Sequence, residues 1–311
     1  MNKEMSCKVS GVVGTKVSMN NFNADLTGQP RQLTNGELFI NDKPLKYCVK
    51  RYWDERGILV FGLKSNQLTT IKGVDKWPPR TMEERYNYLF DKIDKKKTGV
   101  LEILKNLAKC EDVRNFGITF AAADNNIGIT GVVQILPGIN KMDDTTIEVI
   151  TDTTQFRNSN KEDSVASTMG RKYIVDEAHY YSDVIITPNN LEPFKEFGIS
   201  YTEEDYFLLK EGLLKGVTNL NSHTRIGCDN EFGLFIRYKE NNDLLIPCLT
   251  RYISFIKGEK GEKDKIDLSR ISEVVNRHVD DIEDIEIYYD IDFTELVGFE
   301  TTIPSIIKPL Y

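Results

Sequence analysis

Between Ser167 and Gly227 the chain reads STMGRKYIVDEAHYY, then ITPNNLEPF, then YTEEDYFLLKEGLLKGVTNLNSHTRIG. No other passage restricts the fold as much. Tyr173, Val175, Tyr181, Val184 and Ile186 supply the branched and aromatic bulk of a strand over 171–187. Thr202 with Asp205 three residues on is a capping-box pair that starts a helix over 202–217. Tyr206, Leu209, Leu213 and Val217 give that helix one apolar stripe, and Gly212 with Gly216 leaves a flank small enough for close helix–sheet approach. EFGLFIRYKE then returns as a strand over 231–239. A strand, helix and strand in this order bury the helix against a sheet, which excludes purely helical and purely β architectures.

The amino-terminal half shows a similar succession. CKVSGVVGTKVS (7–18) is Val-rich and reads as a strand, and an Asn/Gly/Pro loop follows over 20–35. A helix over 43–56 begins near Pro44 and ends at Gly57. Its Leu45, Cys48, Val49, Tyr52 and Trp53 fall at i, i+3, i+4, i+7, i+8 and mark the core face. Lys43, Lys46 and Lys50 fall on another face with Arg51 beside them, a cationic ridge. FGITFAA and ITGVVQI give two strands near 116–136. The sum is βαββαβ: an α+β chain with a ferredoxin-like or RRM-like order. In RNA-binding versions of that fold an open sheet face or its edges hold nucleotides.

Two stretches interrupt this order. Residues 64–112 carry helical periodicity and read as an insertion, and Thr145–Ser164 as a projecting loop or β-finger. Residues 1–258 are therefore expected to form the palm with its insertions. Residues 259–311 are an acidic extension packing on the same domain: the charge run EKGEKDK as a linker, a helix through Leu268, Ile271, Val275 and Val279, and an alternating strand from Ile285 to Phe293. No internal repeat is present. GVVGTK (11–16) hints at a phosphate loop but lacks the spacing of one and lies inside a strand pattern.

Charge narrows the function only when it is divided along the chain. The net −8 lies entirely in residues 259–311, which hold six Lys/Arg against fourteen Asp/Glu; residues 1–258 hold thirty-four of each. A neutral body with a local basic face can bind phosphate, because screening limits each charge to about 10 Å at 0.1 M salt. Five cysteines without a CxxC pair argue for reduced thiols and against a disulfide framework or zinc. Three scattered histidines without HxxH or HExxH argue against His-ligated metal catalysis. No apolar run reaches the roughly 20 residues of a membrane helix, and MNKEMSCKVSG lacks a secretory h-region. A cytoplasmic chain without metal or cofactor is expected.

STMGRKYIVDEAHY, the Asn-rich turn after it and TEEDYFLLKEGLLKGVTNLNSHTRIG together resemble the backbone subunit of the CRISPR Cascade complex, in its type I-B Csh or DevR-like branch. KYCVKRYWDERG is similar to that family's first helix, and FGITFAA…ITGVVQI to its central strand pair. The first loop departs: the family's Asn-Pro-Asn-Gly-Asp-Pro is replaced by NNFNADLTGQPRQL. The resemblance implies an RRM-like palm with finger and thumb elements, the thumb at 140–165 or in 64–112. It implies copies assembled along a CRISPR RNA beside other Cascade subunits, with target DNA met through the guide, no membrane and no cofactor. Such a subunit displays RNA and does not cleave it.

The candidate RNA-binding residues are Arg31 in the first loop, Lys46, Lys50 and Arg51 on the first helix, Arg171 and Lys172 after Gly170, and Asn221, His223 and Arg225 after the second helix. Lysine and arginine suit a guide of changing sequence because neutralising phosphates releases counterions whatever the bases. Each has a plain alternative: a solvated helix face, a β-turn, a turn-stabilising Asn. Two catalytic alternatives stand beside the scaffold. His223 could serve as acid or base in a ferredoxin-like endoribonuclease, or Asp25 could support the metal-dependent RNA cleavage of type III backbone subunits. Asp25 lacks a matching motif and reads as a loop-capping residue. The Tyr180–Tyr181 pair could stack on bases or share its rings with the core.

Overall fold

The computed structural model describes residues 3–94, 97–122, 124–157 and 167–311. Val-rich β1 (Val9–Asn20) lies at the centre of the main sheet, antiparallel to β10 (Ser167–Ile186) on one side and β11 (Cys228–Tyr238) on the other. Val9 faces Ile186 across one ladder and Val12 faces Leu234 across the other. GVVGTK is strand and not a phosphate loop: a Cβ on Gly14 would come within 3.0 Å of Phe232 and Tyr181, whose rings stack at 5.6 Å beside it. Glycine is there to admit two rings.

The remaining elements can be placed around these three strands. Short β2 (Phe39–Ile40) precedes α1 (Asp42–Asp54). The insertion holds the hairpin β3 (Thr69–Ile71) and β4 (Val74–Lys76), then α2 (Met82–Leu89), α3 (Val100–Ala108) and α4 (Glu111–Phe116), so it is less purely helical than its periodicity suggests. β5 (Ile118–Ala122) and β6 (Asn125–Ile129) pair only with each other, outside the main sheet to which the βαββαβ order assigns the first of its two middle strands. β7 (Val133–Ile135), β8 (Gly138–Asn140) and β9 (Ile147–Arg157) all pair with β10. The first candidate range for a thumb, 140–165, thus includes β9 and then runs into residues outside those described.

α5 (Glu203–Asn219) starts at the expected cap: Thr202 Oγ1 accepts from Asp205 N at 3.2 Å and Asp205 Oδ2 from Thr202 N at 2.7 Å. Gly212 and Gly216 face α1 rather than the sheet. A Cβ on Gly212 would meet Val49 at 2.8 Å, and one on Gly216 the Cys48 backbone at 3.1 Å. Trp53 completes the helix pair by donating Nε1–H to Leu208 O at 3.0 Å. Arg114 of α4 reaches across to Asp205 and Glu111 at 2.5 Å each, with both carboxylates buried; burial, opposed by Arg114, pushes the Glu111 carboxyl up to about 8.

The other face of the sheet is not open, as an RNA-binding RRM would have it. The carboxy-terminal residues cover it. After the 3-10 turn Leu249–Tyr252 come β12 (Ser254–Ile256), β13 (Asp264–Asp267), α6 (Ser269–Asn276), β14 (Ile282–Tyr289), β15 (Thr294–Val297) and β16 (Ser305–Pro309). Ile246, Leu249, Ile266, Ile271 and Val275 pack on Val12, Tyr181, Leu234 and Ile236 as a second core. Asp264 belongs to this packing: it is buried and accepts from Gly258 N, so the charge run is anchored rather than a free linker. β14 pairs with β11, and β16 with β14, giving the order β16-β14-β11-β1-β10-β8-β2 among the described residues. The strand alternation stops at Tyr289 rather than Phe293, and Ile291 and Phe293 are exposed beyond the sheet.

A buried network ties the two halves together. His179 of β10 places Nδ1 2.6 Å from Glu231 and Nε2 3.3 Å from Glu177, and stacks on Phe255 at 3.8 Å. Lys257 spans Glu177 and Asp264, and Lys16 also pairs with Glu177. Burial alone would lower the His179 pKa, but the two carboxylates outweigh it and the net shift is upward. Three acids thus face two lysines and a histidine whose cationic form they favour.

Candidate nucleic-acid interface

At the end of β1 the backbone leaves the sheet through Met19, a non-glycine residue at positive φ, into the loop 20–38. Asn20 secures this corner. Its Nδ2 donates to Ile226 O at 2.7 Å and His223 O at 3.4 Å, while Ser18 N donates to Gly227 O at 2.7 Å. The first loop and the turn 221–227 are thereby one unit. Asn23 Oδ1 accepts from Asn41 N at 2.7 Å, which brings the start of α1 to the same place. Gly28 takes φ +87 in this loop, where a Cβ would reach Tyr173 of β10 at 4.0 Å. A side chain there would be strained by the left-handed backbone.

Arg225 is the centre of this corner. Its guanidinium stacks over Phe22 at 4.6 Å, and one NH2 group donates to Phe22 O and Thr224 O at 2.9 Å. It also lies against the Cys48 thiol, whose pKa burial pushes up to about 11 with Arg225 opposing. Cys228 is pushed up to about 12 by burial, with Arg225 and then Lys172 among the charges near it. Both thiols therefore stay neutral and offer the two cations no counter-charge. The Thr27 hydroxyl does most to favour the ionised form of Asp25, and Arg31 lies close enough to add to it. Asp25 caps its own loop: Oδ1 accepts from Thr27 N, Thr27 Oγ1 and Gln29 N.

Lys172 and Arg225 thus both lie near Cys228 at this corner, with Arg31 in the attached first loop beside Asp25, Asn221 and His223 exposed on the turn, and Arg171 exposed on β10 beside Lys172. None of the four cations has a carboxylate at ion-pair distance among the described residues. The cationic ridge of α1 differs. Lys46 pairs with Asp42 at 2.7 Å, Lys50 with buried Asp112 at 3.3 Å, and Arg51 with Asp54 and Glu55. Lys46 and Lys50 also lie over the Phe116 ring. The structure does not bring these three into the corner; it uses them to hold α1 to α4 and to itself. Tyr180 and Tyr181 are buried in the first and second core respectively and present no stacking surface.

Asn20 and Phe22 carry the corner, although neither stands out as a candidate in the sequence. The signal for them is the unusual Asn-Asn-Phe-Asn run after a strand, which places side-chain amides at a chain reversal. Exposed Met19, Leu26 and Ile226 add apolar surface around it.

The sequence matches the family described as CRISPR-associated protein Cas7 over residues 7–287. The chain belongs to that family. Two solved chains have the fold of this Cas7 protein. One, from a "CRISPR RNA-guided surveillance complex", is 13% identical at a TM-score of 0.51, covering 96% of this chain and 94% of that one. The other, from a "CRISPR RNA-guided surveillance complex, pre-nicking", is 12% identical at 0.51 and covers 96% of each. At such identities the likeness is one of fold. A comparison with curated proteins finds no match. Among the described residues of this Cas7 chain no helix is long and apolar enough to cross a membrane.

Proposed function

We infer that this Cas7-family chain is a CRISPR RNA-binding backbone subunit of a Cascade-type surveillance complex. Several copies hold one guide, beside the other subunits, so that target DNA pairs with it. The observation that carries this reading is the segregation of cations: Arg31, Arg171, Lys172 and Arg225, on the corner and its attached loop and strand, have no ion-pair partner among the described residues, whereas the helix cations are engaged in ion pairs. Unpaired, partly shielded cations beside exposed amides are what a phosphate chain needs for sequence-independent affinity. The order β11-β1-β10-β7, with α1 and α5 on one face, supports an RRM-like palm formed mainly by residues 1–258. Residues 259–311 back that palm, and the motifs favour the type I-B Csh or DevR-like branch. The subunit works in the cytoplasm as a non-catalytic scaffold. Asp25 supports this, since its carboxylate is occupied by its own loop.

Titrating guide RNA at several salt concentrations tests the corner. The Arg171→Ala/Lys172→Ala variant should bind more weakly for every guide sequence, with the log–log salt slope flatter by about 0.7 for each phosphate no longer neutralised. Lys50→Ala/Arg51→Ala should keep the wild-type slope. Equal slopes in the first variant and wild type, or a flattened slope in the second, would move the interface elsewhere.

A further inference from the structure

Charge is divided across the molecule as well as along it. Residues 64–109 hold eleven Lys/Arg against six Asp/Glu, while residues 259–311 hold six against fourteen. The two segments attach at opposite edges of the main sheet. The insertion leads into α4, which packs on β7 where it pairs with β10; the acidic segment supplies β14 and β16 beyond β11.

Each segment carries a compact patch. The β3–β4 hairpin pairs with no other strand among those described, and its Lys72 and Lys76 are exposed without a carboxylate partner among the described residues. Trp77, directly after it, is 64% exposed, with Leu68 and Val74 also exposed. On the other side Asp229, Glu231, Asp290 and Asp292 line a cleft of about 350 Å³. Phe293, 68% exposed, and Tyr311, 62% exposed, form its rim. Burial and, more weakly, Asp290 push the Asp229 carboxyl up, against Lys16, which is itself paired with Glu177. Asp290 and Asp292 have no cation at ion-pair distance among the described residues. Glu231 is engaged by His179 and Lys16 by Glu177, so the acidity of the cleft comes from Asp229, Asp290 and Asp292.

We propose that the β3–β4 hairpin of one copy docks into this acidic cleft of the next copy. Lysines meet aspartates there, and Trp77 meets the Phe293–Tyr311 rim. This rests on the reading of the chain as a multi-copy guide-bound backbone. A second copy is the occupant because both halves of the complement, charge and exposed aromatic surface, occur on one chain at opposite edges. Two different patches on one subunit make a heterologous contact, which extends into an open array rather than closing as a pair. A single hairpin buries less surface than the roughly 1,200–2,000 Å² of a stable interface, so the contact is weak alone and gains strength when the guide tethers neighbours.

Charge reversal tests the contact. Variant one is Lys72→Glu/Lys76→Glu, with both patches acidic; variant two is Asp290→Lys/Asp292→Lys, with both basic. On a long guide, counted by native mass spectrometry, each variant alone should fill neighbouring positions with cooperativity weaker by about tenfold or more. An equal mixture should recover filling, because each hairpin then finds an opposite cleft. Affinity of a single copy for a one-copy RNA should be unchanged in variant one, which reads the guide-binding assignment separately. Sedimentation of wild type, each variant and the mixture without RNA at low salt keeps the contact measurable if guide binding itself fails. Wild-type filling or self-association by either variant alone, or no recovery in the mixture, would overturn the proposal. So would variant one losing duplex-DNA capture with its array intact, since the hairpin would then serve nucleic acid.

Discussion

A lysine or arginine on a helix face carries no label saying whether its partner is a phosphate or a carboxylate. The pairs Asp42–Lys46 and Arg51–Glu55 are legible in the sequence from their i,i+4 spacing. Lys50–Asp112 is not, because α4 is distant in the chain and only the folded structure brings it beside α1. The corner residues show the converse. Arg31, Lys172, Arg225 and His223 each stand out from local pattern, yet what ties the first loop to the turn bearing His223 and Arg225 is Asn20, marked only by the Asn-Asn-Phe-Asn run. The His223 ring is exposed and has no carboxylate at ion-pair distance among the described residues, so it lacks the oriented acid–base pair that an endoribonuclease needs. Incubating repeat RNA with wild type and His223→Ala should give the same intact RNA in both. Discrete cleavage by wild type that disappears in the variant would establish the enzymatic alternative.

Elements are easier to read than their partners. The capping box of α5, its apolar stripe and the strands around it are evident in the sequence, since capping and periodicity are local. That Gly212 and Gly216 meet α1, and that the second sheet face is covered, is not: a period says which side is apolar and not what lies against it. The polar links between elements carry two predictions. Arg114→Ala should destabilise the fold by about 3–5 kcal/mol in chemical denaturation, because buried Glu111 and Asp205 lose their shared cation. A loss below about 1 kcal/mol would show that the carboxylates find other partners. His179, faced by Glu177, Glu231, Lys16, Lys257 and Asp264, has a folded pKa above its ordinary value near 6.5. Its ionisation therefore contributes stability that is full below that value and fades as pH rises through the higher folded one. Unfolding midpoints should fall as pH rises above about 6.5 in wild type and fall less in His179→Gln. Parallel profiles would remove His179 from the linkage.

At the scale of the molecule, two cores share one sheet: helices α1 and α5 on one face, the carboxy-terminal segment on the other. Closing the second face leaves the corner at the end of β1 and the patches at the two sheet edges as surfaces for partners. Recovery of array formation by mixed charge-reversed copies is the prediction that belongs to this scale. Strand β16 sets a boundary on how arrays form. It is the outermost strand on its side, exposed along its whole length, yet Pro304 precedes it and Pro309 ends it, and Lys308 lies between. Prolines and a lysine on a bare margin discourage another backbone from adding to the ladder. In the proposed array, a neighbour meeting this edge would be recognised through side chains, so a few substitutions could retune the spacing without unzipping the sheet.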